Sequence, residues 1–139
     1  MTPQAERAGV QAGGLYGLPA RRKRRTPEQD IQRQIAQFLD VSLGGTAWYS
    51  TIPLGGGGKT RGGILKGLGV KEGTPDMLVI HAGRAVWIEV KSYTGAASKG
   101  QVKCHADLKR AHSPVYVVRS LDEAIAVLRQ AGVPLRTAA

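Results

Sequence analysis

Asp76, Glu89 and Lys91 are the residues whose types and spacing could do chemistry. They lie in GTPDMLVIHAGRAVWIEVK, Gly73 to Lys91, where they interrupt two apolar runs with strand character, Asp76 to Ala82 and Ala85 to Lys91. A carboxylate inside a Val/Ile/Trp strand is costly to bury unless it is paired or holds a metal. Alternation along a strand puts Glu89 and Lys91 on one face and Ile88 and Val90 on the other. With Gly83-Arg84 as a two-residue hairpin turn, Ala82 opposes Ala85, Leu78 opposes Glu89, and Asp76 opposes Lys91. All three charges then share a face. Asp76 is diagonal to Glu89, with Cβ atoms up to ~7–8 Å apart, which leaves room for a cation. A turn one residue longer sends Asp76 to the opposite face. Oxygen ligands without a His or Cys cluster favour Mg²⁺ or Mn²⁺ over zinc. Such a cation lowers the pKa of a bound water and stabilises charge on a phosphoryl oxygen. Lys91 beside it could orient or help deprotonate the attacking water and stabilise the pentacovalent state. The competing reading is an ordinary salt bridge across a hairpin. Glu89-Val90-Lys91 alone favours that reading. Pro75-Asp76 on the partner strand of a basic chain brings the two level.

The surrounding elements must position these side chains. Thr26 as N-cap, Pro27 at N1 and Gln29 at N3 predict a helix start. Ile31, Ile35, Phe38 and Leu39 then form one apolar stripe. Glu28 leans toward the edge of that stripe, although taken alone it reads first as a first-turn acid complementing the helix dipole. Thr46 to Ile52 reads as a strand. Pro53 to Gly73 reads as a cationic, glycine-rich loop carrying Lys59, Arg61, Lys66 and Lys71. Such a loop either approaches a phosphate backbone closely or is a flexible connection with scattered charge. Gly58-Lys59-Thr60 is not a phosphate loop, because Pro53 stands where the motif needs glycine and four downstream glycines oppose a helix there. Ser92 to Ala97 is a loop, and Ser98 with Gln101 opens a helix by a capping box. Pro114 to Arg119 is a nearly all-apolar strand, typical of a sheet covered on both faces. Ser120 with Glu123 is another capping box and starts a last helix with Ile125, Leu128 and Ala131 on one side, stopped by Gly132 and Pro134. The expected order is α-β-β-β-α-β-α. The last two strands are parallel across a right-handed crossover, in an α/β fold with a mixed sheet flanked by helices.

A chain of 139 residues predicts one domain, and 42% hydrophobic residues suffice for a core. The net charge of +10 favours a polyanionic partner, either nucleic acid or an acidic membrane surface. No apolar run approaches the ~18 residues of a transmembrane helix, and no signal peptide is visible. Cys104 is the only cysteine, so neither an intramolecular disulfide nor a thiolate zinc site is expected, and a reducing compartment such as the cytoplasm fits. Residues 1–25 read as a basic arm, 26–133 as the folded domain and 134–139 as a tail. Arg7 and the run Arg21, Arg22, Lys23, Arg24 and Arg25 account for six of the 20 basic residues against one acid, Glu6. The run reads as a phosphate contact or a solvated tail. His81, His105 and His112 are dispersed and read as packing or surface. Cys104, Trp48 and Trp87 read as core residues.

The parts resemble the PD-(D/E)xK nuclease superfamily and, more narrowly, the VRR-NUC family of small bacterial and phage proteins. The resemblance spans Thr26 to Gly132. It rests on Thr26-Pro27-Glu28, Gly73-Thr74-Pro75-Asp76, Trp87-Ile88-Glu89-Val90-Lys91, Ser98-Lys99-Gly100-Gln101, and Val117-Val118-Arg119-Ser120 with Asp122-Glu123. It implies a restriction-endonuclease-like core, Asp76 and Glu89 as metal ligands helped by the Val90 carbonyl, Lys91 as the catalytic lysine, and support from Glu28 and Gln101. It also implies DNA cleavage selective for branched structures such as Holliday junctions, by a homodimer in a bacterial or phage-infected cell. A non-catalytic DNA-binding module and an RNA-processing nuclease are the alternatives on the same scaffold.

If the Arg21 to Arg25 run contacts phosphates, deleting residues 1–25 weakens DNA binding and flattens its salt dependence. Affinity measured across a salt series checks this, and an unchanged slope makes the arm a tail only.

Overall fold

The structure, a computed structural model, describes residues 25–53 and 58–136. Most of the expected arm, including Arg21, Arg22, Lys23 and Arg24, lies outside the described residues. Helix α1 (Pro27–Ser42) opens with the expected capping box: the Gln29 N–H donates to Thr26 Oγ1 and Gln29 Oε1 accepts the Thr26 N–H. After α1 come β1 (Ala47–Thr51), α2 (Gly58–Gly67), β2 (Met77–His81), β3 (Arg84–Val90), α3 (Lys99–Arg110), β4 (Val115–Val118) and α4 (Leu121–Gln130). The strands form one mixed sheet in the order β1-β2-β3-β4. The first two pairings are antiparallel and β3–β4 is parallel across α3. Among the described residues no helix is long and apolar enough to cross a membrane.

One face of the sheet makes the core. Met77, Val79, Val86, Ile88, Val90 and Val118 pack with Ile35 and Leu39 of α1 and Ala124 and Leu128 of α4, all buried. Each large apolar side chain so buried contributes about 1.5–3 kcal/mol. The opposite face carries Asp76, Leu78, Trp87 and Glu89, and α3 covers only part of it. Trp48 is 58% exposed, the Ile80 it opposes is 38% exposed, and Val117 is 44% exposed. Trp48 is therefore not a core residue, and β4 is covered fully on one face only. Both follow from a single helix lying over a four-stranded face.

Two further expectations are corrected. The segment read as a glycine-rich loop contains α2, which adds a helix to the expected order. Its glycines weaken it by roughly 1 kcal/mol each relative to alanine, but its end is well capped. Gly69, at φ +94°, donates to Lys66 O, and the Val70 N–H donates to Leu65 O, each at 3.0 Å. This is a Schellman closure with glycine in the left-handed position. The hairpin turn is the second correction. His81 pairs with Arg84, so the two turn residues are Ala82 (φ +50°) and Gly83 (φ +74°), the positive-φ pair that a type I′ turn requires. The turn sits one residue earlier than Gly83-Arg84. That slides each partner by two positions, which preserves every side chain's face.

Tyr49 ties β1 to α1. Its hydroxyl lies against Ala36 O at 3.0 Å and against the Asp40 carboxylate. Burial, then the Asp40 carboxylate, pushes the hydroxyl up to about 12. Folding thus favours the protonated phenol. Its contribution is complete below the unfolded value of about 10 and is lost as pH rises through about 12. Tyr49→Phe is expected to lower stability by about 1 kcal/mol near neutral pH. The gap to wild type should close between about pH 10 and 12 in urea melts.

Candidate active site

The β2–β3 hairpin and the first turn of α3 build the site. Asp76 precedes β2. Its carbonyl accepts the Ile52 N–H at 2.7 Å, and its Oδ2 accepts the Val90 N–H at 2.7 Å. Continuing the Met77–Ile88 register by one step sets Asp76 level with Glu89. Directly opposed residues share a face and stand closer than the diagonal pair that a Gly83-Arg84 turn implies. Lys91 follows β3, and its backbone N–H donates to Val118 O at 3.0 Å. The parallel neighbour β4 thus extends its hold one residue past the strand.

Gln101 lies between the acid and the base. Its Nε2 donates to Glu89 Oε1 at 2.6 Å, and its Oε1 accepts from Lys91 Nζ at 2.7 Å. The same Oε1 accepts the Ser98 N–H at 2.9 Å, while the Gln101 N–H donates to Ser98 Oγ. The capping box and the polar contact to the site are therefore one arrangement. Lys91 Nζ is 3.7 Å from Glu89 Oε1, with Glu89 2% and Lys91 7% exposed. Removing one member of such a buried pair leaves an uncompensated charge, which is strongly destabilising.

Burial, then the charge on Asp76, raises Glu89 to about 7. Asp76 is also raised, first by burial; the Val90 N–H opposes the shift and Glu28 adds to it. His105, one helical turn after Gln101, brings Nε2 to 3.8 Å from Glu89 Oε2. Burial, then Lys91, lowers His105, which favours its neutral form. Neither Glu89 Oε2 nor His105 Nε2 has a hydrogen-bond partner among the described residues. Two carboxylates raised first by burial, with the Asp76 charge adding for Glu89 and the Glu28 charge for Asp76, one of them with a buried oxygen lacking a donor among the described residues, fit a hard cation. No three His, Cys, Asp or Glu side chains among the described residues group to hold a metal. A cation here would need backbone or water oxygens as well.

Glu28 and Arg119 hold the loop after Lys91. Glu28 Oε1 accepts the Ser92 N–H at 3.3 Å. Arg119 Nη1 donates to Ser92 O at 2.5 Å and to Gly95 O at 2.8 Å. Glu28 is half-buried in the first turn of α1, so it still complements the helix dipole while holding this loop.

Asp76, Glu89, Lys91 and Gln101 therefore converge, with Glu28 beside them. Val90 contributes its N–H to Asp76, while its side chain belongs to the core. Lys66 and Lys71 line a cleft that reaches Gln101. Arg61 is exposed on α2. Arg25 is exposed and stands 3.9 Å from Asp30. The Lys59 side chain lies outside the described residues. His105 and Arg119 are site residues that sequence reasoning did not assign. The i, i+4 spacing from Gln101 signals the first. The second follows β4, the strand parallel to β3, as Lys91 follows β3, a relation visible only once the strands are paired.

The chain matches no protein-family model and no curated protein. Among the solved structures it is similar to are two with VRR-NUC titles. One, titled "VRR_NUC domain protein", is 19% identical, covers 78% of this chain and 89% of its own, and superposes with a TM-score of 0.60. The other, titled "VRR_NUC domain", is 20% identical, covers 76% of this chain and 97% of its own, with a TM-score of 0.53. The likeness is one of fold: a mixed four-stranded sheet with flanking helices of the VRR-NUC, restriction-endonuclease-like kind.

The approach of α3 to the entry of β2 depends on glycine. Gly73 has φ +78°, and a Cβ there would clash with the Gly100 carbonyl and stand 2.5 Å from Gln101 N. Gly73→Ala adds both strain and a backbone clash. It is expected to destabilise the protein by more than about 1 kcal/mol and to displace Gln101 from Glu89 and Lys91. Thermal unfolding and a crystal structure of the variant check the two effects.

Proposed function

Given a VRR-NUC fold, we propose that this protein is a Mg²⁺- or Mn²⁺-dependent DNA endonuclease that hydrolyses phosphodiester bonds. The carrying observation is that Gln101 holds Glu89 and Lys91 together with 2.6 and 2.7 Å hydrogen bonds, beside Asp76. The Asp76 and Glu89 carboxylates and the Val90 carbonyl would hold the cation. When bound, a cation of this kind supplies Lewis-acid stabilisation of a phosphoryl oxygen and a water of lowered pKa. The Lys91 ammonium has three protons, and Gln101 takes one. The others can orient an attacking water or meet charge developing on the phosphate. Gln101 keeps that ammonium in place through the reaction, and Glu28 with Arg119 immobilises the loop immediately after it. Lys59, Arg61, Lys66 and Lys71, with the Arg21 to Arg25 run, are proposed to contact phosphates on either side of the cut. Branched or junction DNA is the proposed substrate. Symmetric cutting of a four-way junction takes two active sites, so a homodimer is proposed with it.

The test is cleavage of duplex, flap and four-way-junction DNA, and of RNA with the same structures, with and without Mg²⁺ or Mn²⁺. Cutting is expected only with metal. Asp76→Ala and Lys91→Ala are each expected to slow it by at least about 100-fold. Wild-type cutting by either variant would overturn the site assignment. DNA binding without metal-dependent cutting would make the protein a binding module, and faster cutting of RNA would change the substrate class.

A further inference from the structure

A cleft of about 800 Å³ opens between α2 and the first turn of α3, and Gln101 forms part of its wall. Leu65 and Val70 give it an apolar side, drawn together by the Val70 N–H to Leu65 O bond. Lys66 and Lys71 stand on it as exposed cations. Glu72 is the one carboxylate among the described lining residues, and it packs against the backbone of Gly100. The described lining thus carries two cations to one anion, in a protein of net charge +10.

We propose that this cleft receives an unpaired segment of the substrate DNA strand next to the scissile phosphate, an inference that rests on the DNA-cleaving reading above. The volume lies in the range of small-ligand pockets, ~300–1,000 Å³, enough for a nucleotide or two. A duplex does not fit, since its major groove alone is ~12 Å wide. Leu65 and Val70 offer the apolar surface a base needs once unstacked. Lys66 and Lys71 meet the phosphates on either side of it, and Gln101 joins the cleft to the catalytic side chains. Extruding a paired nucleotide costs its pairing and stacking, and least where the strand is already unpaired. The cleft therefore selects DNA that is single-stranded beside the cut, as in a flap, fork or branch, without reading its sequence.

Gly62 permits a clean test. It lines the cleft within α2, and a Cβ there meets nothing within 4 Å. Gly62→Ala, Gly62→Leu and Gly62→Phe therefore fill the cleft by degrees while favouring the helix. Their thermal midpoints are expected at or above that of wild type. Binding is measured by fluorescence anisotropy without metal, using a single-stranded oligonucleotide, a flap and a blunt duplex. Affinity for the single strand and the flap should fall with side-chain volume, by at least about tenfold for Gly62→Phe, and duplex affinity should fall far less. Wild-type strand binding by a folded Gly62→Phe would overturn the proposal. So would an equal loss for duplex and single strand. Hydrolysis of a small chromogenic phosphodiester by the wild-type protein reports on the catalytic centre separately. If wild type cuts and Gly62→Phe binds and cuts as it does, the cleft is wrong and the nuclease reading stands. If wild type hydrolyses neither DNA nor the small diester, yet Gly62→Phe loses strand binding, the nuclease reading fails and strand binding in the cleft stands. Absence of any oligonucleotide binding by wild type overturns both.

Discussion

The Gln101 carboxamide, donating to Glu89 and accepting from Lys91, is the contact on which the rest of the site depends. An acid and an amine nearly closed off from solvent need their hydrogen-bonding capacity filled, or burial drives them neutral. One amide satisfies part of each and fixes their separation. It is itself held by the first turn of α3 through the Ser98 cap. The site's geometry is therefore as rigid as a helix start and a three-strand ladder, rather than as flexible as a loop.

That contact requires α3 to approach the sheet closely, and the approach is set by backbone against backbone. Gly73 lies against Gly100 and Gln101 with no side chain between them. Asp76 is fixed from both sides, through its carbonyl by Ile52 and through its carboxylate by Val90. These constraints force Asp76 and Glu89 together; burial raises both, and the Asp76 charge adds to the shift of Glu89 as the Glu28 charge does to that of Asp76. The strain is electrostatic and local. It lies on the face of the sheet opposite the apolar core, so the packing of Ile88 and Val90 does not have to absorb it.

Much of the fold was legible because it rests on short-range signals. Thr26 with Gln29 and Ser98 with Gln101 cap their helices as expected. Ser120 accepts the Glu123 N–H, but the Glu123 carboxylate turns back to the Arg119 N–H, so that box is only half formed. The α1 stripe packs where its periodicity put it. The errors arose where local signals conflicted. The glycines of α2 argued against a helix that Gly69 and Val70 cap well. The sequence points to Gly83-Arg84 and not to Ala82-Gly83 because alanine is uncommon at positive φ. Trp48 read as core because an aromatic residue in a strand usually is; its exposure comes from α3 stopping short of β1.

The sequence by itself determined which residues could face one another. Alternation along Asp76 to Lys91 is a property of the strand, and it survived a turn misplaced by one residue because the pairing moved by two. Only the tertiary structure decided the distances. Whether Gln101 reaches Glu89, whether His105 stands near its other oxygen, and whether Lys66 and Lys71 share a cleft with Gln101 all depend on how α2 and α3 sit relative to the sheet. Those placements are set by long-range backbone contacts such as Gly73 with Gly100. Hydrophobic period and capping motifs carry no record of such contacts, because they report on neighbours in the chain rather than neighbours in space.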